Sequence, residues 1–312
     1  MKIQIDYGLC VNCKKCVEIC PANVYEMREK PVVVDEAACT MCGVCADQCP
    51  KGAIKLVDSK TGGVRSEAPV ANDEYVAASA ALVELLGLKK SPVAIKMVTS
   101  EHEVPDGVAT LDSPVRHCVS INMAAHGAVF YLPMDKHACA AAKAALGMAE
   151  LPEKVRNGTV PYMHGLAATQ DAAARTMAEV PKMPAGSSIG TILAPLEKAP
   201  VVPDVVVLTV NPKQAMWVAN AYIFAEGGPR LSASFAGMQA SCADATTVPL
   251  LTKNVNFTVG CYGCRSAGKL ADDEMYVGFP VEQLNGVVGN LKGLRKAMGN
   301  LARGKPKNEV NK

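Results

Sequence analysis

The sequence has no marked excess of either charge, with 32 Lys+Arg against 30 Asp+Glu in 312 residues. Such a balance leaves no electrostatic footprint for nucleic acid or an anionic membrane surface, so neither is expected as a partner. Long apolar runs are missing too. No stretch approaches the about 18 apolar residues of a spanning helix, so no membrane segment is expected. The opening MKIQIDYGLC lacks a basic n-region followed by an apolar h-region, which argues against an ordinary secretory leader. There is no G-x-G-x-x-G, no Walker loop and no H-E-x-x-H, and hence no signature for nicotinamide, flavin, nucleotide or a zincin site. What is plentiful is sulfur. With 13 cysteines and 14 methionines and no export signal, the thiols read as metal ligands in a reducing cytoplasmic interior rather than as disulfides. The same load would oxidise readily in air, which points to an anaerobic host.

The cysteines fall into two groups. The first is Cys10, Cys13, Cys16, Cys20 and Cys39, Cys42, Cys45, Cys49. Each half reads C-x2-C-x2-C-x3-C-P, closed by Pro21 and by Pro50, and laying Cys10 on Cys39 brings every ligand and both prolines into register. Three cysteines two residues apart fit a short loop around one face of a cubane, while the fourth points away and ligates the other cluster. Cys10, Cys13, Cys16 and Cys49 are therefore expected on one [4Fe–4S] cluster, and Cys39, Cys42, Cys45 and Cys20 on a second. Crossing the ligands staples two halves that could not build a large core. Paired zinc sites would use C-x2-C pairs separated by longer runs, which this pattern does not show. KIQID (2–6) and AIKLV (53–57) alternate as strands, and VYEM (24–27) and VVVD (32–35) read as a hairpin. Residues 1–58 thus resemble a two-cluster bacterial-type ferredoxin, an α+β ferredoxin-like module that carries electrons.

Residues 59–74 are rich in Gly, Ser, Pro and charge and read as a linker. A larger mixed α/β domain is expected over 75–303, with a frayed tail at 304–312. Its predicted helices cover 74–88, a segment opened by Ser113-Pro114, 135–148, 169–180, 212–227 behind Asn211-Pro212, and 281–302. Its predicted strands cover 93–98, 127–132, 189–196, 205–210, 257–261 and 274–280.

The second cysteine group lies in this domain: Cys118, Cys139, Cys242, Cys261 and Cys264. Only Cys261 and Cys264 form a C-x2-C pair, so spacing cannot show whether the others converge. The contexts Arg116-x-Cys118, Asp135-x-His137-Ala138-Cys139 ending at Leu146-Gly147, Ala194-Pro195-Leu196-Glu197, Gln214-Ala215-Met216-Trp217, Ser241-Cys242-Ala243-Asp244, Gly260-Cys261-Tyr262-Gly263-Cys264-Arg265 and Glu274-Met275-Tyr276-Val277 resemble the domain-of-unknown-function family 169. The resemblance implies that all five cysteines sit in family motifs, and it names no reaction.

Three readings of these thiols stand side by side: small buried hydrophobes, a redox dithiol at Cys261 and Cys264, and a third metal centre, most simply another [4Fe–4S] cluster. The third is favoured, because a fused ferredoxin needs an acceptor, Gly260 and Gly263 allow close backbone approach, and Arg116 and Arg265 would offset thiolate charge. Cys118, Cys139, Cys261 and Cys264 are the expected ligands, with Cys242 as substitute or as a thiol near substrate. His117 and His137 are candidate hydrogen-bond donors or proton carriers beside them, or else solvent-side residues. His102, His126 and His164 have no constellation around them. Lys213 at the start of a helix is a weak anion candidate, Trp217 and Tyr222 read as core, and Asp272-Asp273-Glu274 reads as a charged turn. Three functions follow: an iron–sulfur oxidoreductase acting on a small-molecule substrate or redox partner protein, an electron carrier or adaptor, and a metal- or cluster-handling protein.

Overall fold

The structure, a computed structural model, describes residues 2–20, 24–35, 44–47, 49–57, 73–228 and 230–302. The chain divides into two compact units, Met1–Glu67 and Ala68–Lys312. Cys39, Cys42, Pro21, nearly all of the expected linker and the tail lie outside the described residues. No described helix is long and apolar enough to cross a membrane.

In the first unit β1 (Lys2–Ile5) pairs antiparallel with β4 (Ile54–Val57), and β2 (Tyr25–Met27) with β3 (Pro31–Val33). Its described residues also form two short helices, α1 (Lys15–Ile19) and α2 (Val44–Asp47). Its small core gathers Ile3, Val24, Tyr25 and Ile54 with the sulfurs of Cys16 and Cys45.

The second unit is built on one seven-stranded mixed sheet. Its strands are β5 (Val93–Val98), β6 (Ala109–Thr110), β7 (Phe130–Pro133), β8 (Gly190–Pro195), β9 (Val205–Val210), β10 (Asn256–Thr258) and β11 (Met275–Pro280), in the order β10-β11-β9-β5-β8-β7-β6. All neighbours run antiparallel except β6 and β7. β8 and β9 are buried at every position, as strands covered on both faces must be. On one face α3 (Asp73–Leu86), α9 (Pro212–Ile223) and α12 (Leu284–Ala302) close a core around Leu82, Val206, Leu208, Val218 and Phe279. α9 starts with a full capping box, Asn211 and Gln214 bonding reciprocally, as Asn-Pro at a helix start implies. Trp217 and Tyr222 pack against this core, and Lys213 is exposed. On α3, Tyr75, Ala78, Ser79, Leu82 and Leu86 are buried and Val76 is exposed.

The other face carries α4 (His117–Ala125), α5 (Ala140–Ala145) and α10 (Ser241–Thr252), preceding a short α11 (Tyr262–Ser266). The close fit of α10 depends on Gly278 of β11, where a Cβ would stand 1.7 Å from the Ala245 carbonyl oxygen. Three short helices, α6 (Glu153–Arg156), α7 (Thr159–Met163) and α8 (Gln170–Ala178), lie between α5 and β8 in sequence. Thr169 caps α8, accepting from the Ala172 N–H at 3.1 Å.

Two helix expectations are corrected here. The segments opened by Ser113-Pro114 and spanning 135–148 start helical structure later, at His117 and Ala140, because Val115 and His137 form a parallel bridge: the Val115 N–H donates to the Lys136 carbonyl and the Ala138 N–H to the Val115 carbonyl. The residues from Val115 to Cys139 that carry the motifs therefore enter their helices from extended backbone. α10 was not expected at all. Its Ser, Cys, Asp and Thr residues favour helix weakly, Pro249 lies inside it, and its first nine residues are buried, so no amphipathic period shows.

Candidate metal centre and cavity

In the first unit Cys10, Cys13, Cys16 and Cys49 line one pocket, the set that the crossed-ligand spacing assigns to one cluster, and Cys45 reaches the same pocket. The C-x2-C-x2-C loop makes this possible by placing Asn12 and Lys14 in the left-handed region, φ 59 and 62. The Asn12 side-chain amide fixes the loop by donating to the Glu29 carbonyl at 2.7 Å. Two sulfurs already accept hydrogen bonds, Cys49 from the Ala53 N–H at 3.2 Å and Cys45 from the Tyr25 hydroxyl at 3.0 Å. Donors of this kind around thiolates fit an iron–sulfur cluster and tune its potential. Cys20 is half-buried at the end of α1.

In the second unit the distant cysteines converge. The Sγ atoms of Cys118, Cys242 and Cys264, all buried, lie within 4.8 Å of one another. Cys261 Sγ lies 3.5 Å from Cys264 Sγ. Cys139 shares one cavity wall with Cys118, Cys242 and Cys261. Helix starts on the same face of the sheet bring them there: Cys118 and Cys242 are the second residues of α4 and α10, Cys139 immediately precedes α5, and Cys261 precedes α11. The helix macrodipoles of α4 and α10, nine and twelve residues long, favour negative sulfur at such positions.

Cys242, ranked fifth by sequence, thus belongs to the tightest trio, and Cys139 stands on the cavity wall. The thiols of Cys242 and Cys264 hydrogen-bond Cys118 and hold it well below the ordinary thiol range; Cys242 is pushed up by its bonds with Cys118 and Cys264 and then by burial. Cys261 is raised by its bond to Cys264 and by burial, and Cys139 by burial. Thiols gathered this closely are a set a bound cation completes, displacing the protons they hold.

The backbone accommodates this crowding at two glycines. Gly260 adopts φ +75, and a Cβ there would meet Leu270 at 2.7 Å. At Gly268 a Cβ would come within 2.6 Å of Cys118 Cβ, so only glycine lets the end of the α11 segment lie against that sulfur. Asn256 ties α10 to the preceding loop: its side-chain amide donates to the carbonyls of Ser234 and Asp244 at 3.0 Å each and accepts from the Ser234 N–H at 2.8 Å.

The flanking candidates separate. Arg116 lies on the cavity wall. Arg265 does not serve the sulfurs: its guanidinium donates to the carbonyls of Val259, Ala271 and Glu274 and braces the 259–274 loop. Glu274 continues that brace, pairing with Lys90 at 2.6 Å. His117 and His137 are buried rather than solvent-side, their ring centroids 6.2 Å apart. Their Nε2 atoms meet the hydroxyls of Thr246 and Thr191 at 3.2 Å, and neither Nδ1 has a partner among the described residues. Burial drives the pKa of His117 down to about 4 and that of His137 well below its usual value, so both rings are neutral. His164, which no sequence constellation marked, lines the cavity, while His102 and His126 do not.

Two residues of the site were quoted in motifs without a role. Asp244 is buried two positions after Cys242, and burial, then the nearby Cys261, pushes its carboxyl up to about 7. Tyr276 is buried beside Cys264, Cys118 and Cys242, raised first by desolvation and then by those sulfurs. The sequence signal for Asp244 was its place beside Cys242, and for Tyr276 its place in the Glu274-Met275-Tyr276-Val277 motif.

Sulfur-lined loops in one unit and converging helix starts in the other define an iron–sulfur protein with a second thiol-rich site. A 4Fe-4S dicluster domain matches residues 2–50. Domain-of-unknown-function family 169, described as "Uncharacterised ArCR", matches residues 81–290, and the chain belongs to that family. The uncharacterized protein MJ0308 of Methanocaldococcus jannaschii is 34% identical over 217 residues, which cover 69% of this chain and 92% of that protein. No solved structure matches. Iron–sulfur electron transfer, with at least one [4Fe–4S] cluster, is thus the role of the N-terminal unit.

Proposed function

We propose that the protein is an iron–sulfur oxidoreductase in which the N-terminal module, holding two [4Fe–4S] clusters, supplies single electrons to a site in the second unit where a small molecule is reduced. One observation carries this reading: of five cysteines scattered from 118 to 264, Cys118, Cys139, Cys242 and Cys261 line one cavity, and Cys264 brings its sulfur within 4.8 Å of those of Cys118 and Cys242. Packing thiols have no reason to gather this way, and an isolated Cys261–Cys264 dithiol does not account for Cys118 and Cys242. A third metal centre on Cys118, Cys242, Cys264 and Cys261 would supply a one-electron acceptor there. The chain's own residues bind and orient: Cys139, Arg116 and His164 face the space a substrate would fill, and Asp244, at about 7, can hold or release a proton beside Cys261.

A second reading is favoured by the short sulfur spacing. With metal–sulfur bonds of about 2.3 Å, corners of a thiolate tetrahedron lie roughly 3.8 Å apart, which suits a single ion on Cys118, Cys242 and Cys264, with Cys261 Sγ, 3.5 Å from Cys264 Sγ, as the candidate fourth ligand. Iron, sulfide and zinc counts after anaerobic purification decide. About twelve irons per chain is the expected result. About eight irons with one zinc supports the single ion, and about eight irons with nothing further sinks the third centre and leaves an electron carrier.

A further inference from the structure

We propose that the cavity beside the cysteines binds a compact, largely apolar molecule carrying one carboxylate, and that Arg116 is its anchor. This rests on the reading of the second unit as a substrate site and names the class of substrate.

The cavity has a volume of about 620 Å³, within the roughly 300–1,000 Å³ of small-molecule sites. Most of its wall is apolar: Ala141, Val155, Val160, Leu166 and Met238 come from separate elements. A fully polar ligand, such as a sugar or a nucleotide, would leave its hydrogen-bonding groups unpaired against that wall.

One fixed charge stands in this lining. Among the described residues of the lining, Arg116 is the only Arg, Lys, Asp or Glu. Among the described residues no carboxylate or carbonyl pairs with its guanidinium, in contrast to Arg265, whose donors are taken by three carbonyls. The side chain projects over the Cys261–Cys264 loop, and its Nη1 stands 4.0 Å from where a Gly263 Cβ would be. Arg116 is exposed at the cavity, and a planar fork whose donors no protein group takes up among the described residues suits a carboxylate, which it can bind through two parallel N–H···O bonds. The count of charges also sets the class. A phosphate would bring a second negative charge against a single cation and toward thiol sulfurs, whereas a carboxylate brings one. A cation would meet Arg116 with no carboxylate on the wall to receive it. The neutral side chains on the lining, Gln239, His164, Ser266 and Tyr262, can hold a further polar group of the same molecule.

The experiment is calorimetric titration of the full-length protein, purified without oxygen, with hexanoate, hexanamide, hexylamine and inorganic phosphate, with metal content measured on each sample. Hexanoate is expected to bind at least about tenfold more tightly than hexanamide, and hexylamine and phosphate to bind no better than the amide. Arg116→Gln is expected to erase the preference for acid over amide while metal content and circular dichroism stay unchanged, and Arg116→Lys to keep part of it. Equal binding of acid and amide, no binding of either, tighter binding of hexylamine or phosphate, or an unaltered preference in Arg116→Gln overturns the proposal. So does loss of metal in Arg116→Gln, which would make the arginine a counter-charge for the sulfurs. If the protein lacks metal in its second unit but shows the Arg116-dependent preference, the ligand class stands and the oxidoreductase reading falls. If metal is present without the preference, the reverse holds.

Discussion

The two cysteine groups differ in how far apart in sequence their members lie. In the N-terminal unit, Cys10, Cys13 and Cys16 occupy one loop, where two left-handed residues turn their sulfurs into one pocket. In the second unit, Cys118, Cys242 and Cys264 come from three helical segments and meet only because those segments pack on one face of a single sheet. The first site is written in spacing and needs little core; the second is a product of the fold. The loop site should therefore be vulnerable to loss of its own ligands alone, and the converged site to anything that moves a helix.

The largest expected effect breaks the two apart. Cys13→Ser should remove iron from the N-terminal unit and leave metal in the second unit intact, whereas Cys264→Ser should do the opposite; elemental analysis and EPR of the reduced variants read this directly. If either substitution depletes both units, the sites are not independent. Next comes the helix that carries Cys242. Gly278→Ala drives a methyl group into the Ala245 carbonyl, and overpacking against backbone should cost about 3 kcal/mol. The second unit should melt markedly earlier while N-terminal cluster absorbance persists to its usual temperature. A wild-type melting profile would show that α10 does not press on β11 as described.

A smaller, graded effect comes from acid. All 5 histidines (His102, His117, His126, His137 and His164) belong to the second unit. His117 is neutral in the fold with a pKa near 4 against 6.5 when free. Its depressed value means that the unfolded chain binds the extra proton first, so stability is fully present above about pH 6.5 and falls as pH drops toward 4. At about 1.4 kcal/mol per pH unit the loss is about 3 kcal/mol over that window. Chemical denaturation at pH 7 and pH 4.5 should show it in the wild type. His117→Gln should flatten the slope, and an unchanged slope would mean the ring is solvated.

Strands were the most legible part of the fold. VAIKMV, the apolar core of IGTILAPL and VVVLTV are short buried runs bounded by turn residues, and they became β5, β8 and β9. Helices with ordinary caps were legible as well, as at Asn211-Pro212 and Thr169. The short helices α6, α7 and α11 were not expected, and the long helix that was missed, α10, holds the cysteine placed last among the ligand candidates. Burial on every side erases periodicity, and Pro249 argues locally against helix. The starts of α4 and α5 were misplaced for a different reason, since the Val115–His137 bridge joins segments that no local propensity links. Arg116 and Arg265 look alike in sequence, each near a cysteine. Their difference, one unpaired at a cavity and one spent on a loop's carbonyls, exists only in three dimensions.

By itself the sequence determined the dicluster module, because its ligands repeat at short fixed intervals and a cluster needs no more than that to be recognised. It also determined that five further thiols belonged to one family domain. Only the tertiary structure decided that these thiols meet, that Cys242 stands among the closest three, and that a cavity with Arg116 on its wall opens beside them. Contacts across more than a hundred residues depend on strand order and helix packing, which leave no mark in local spacing.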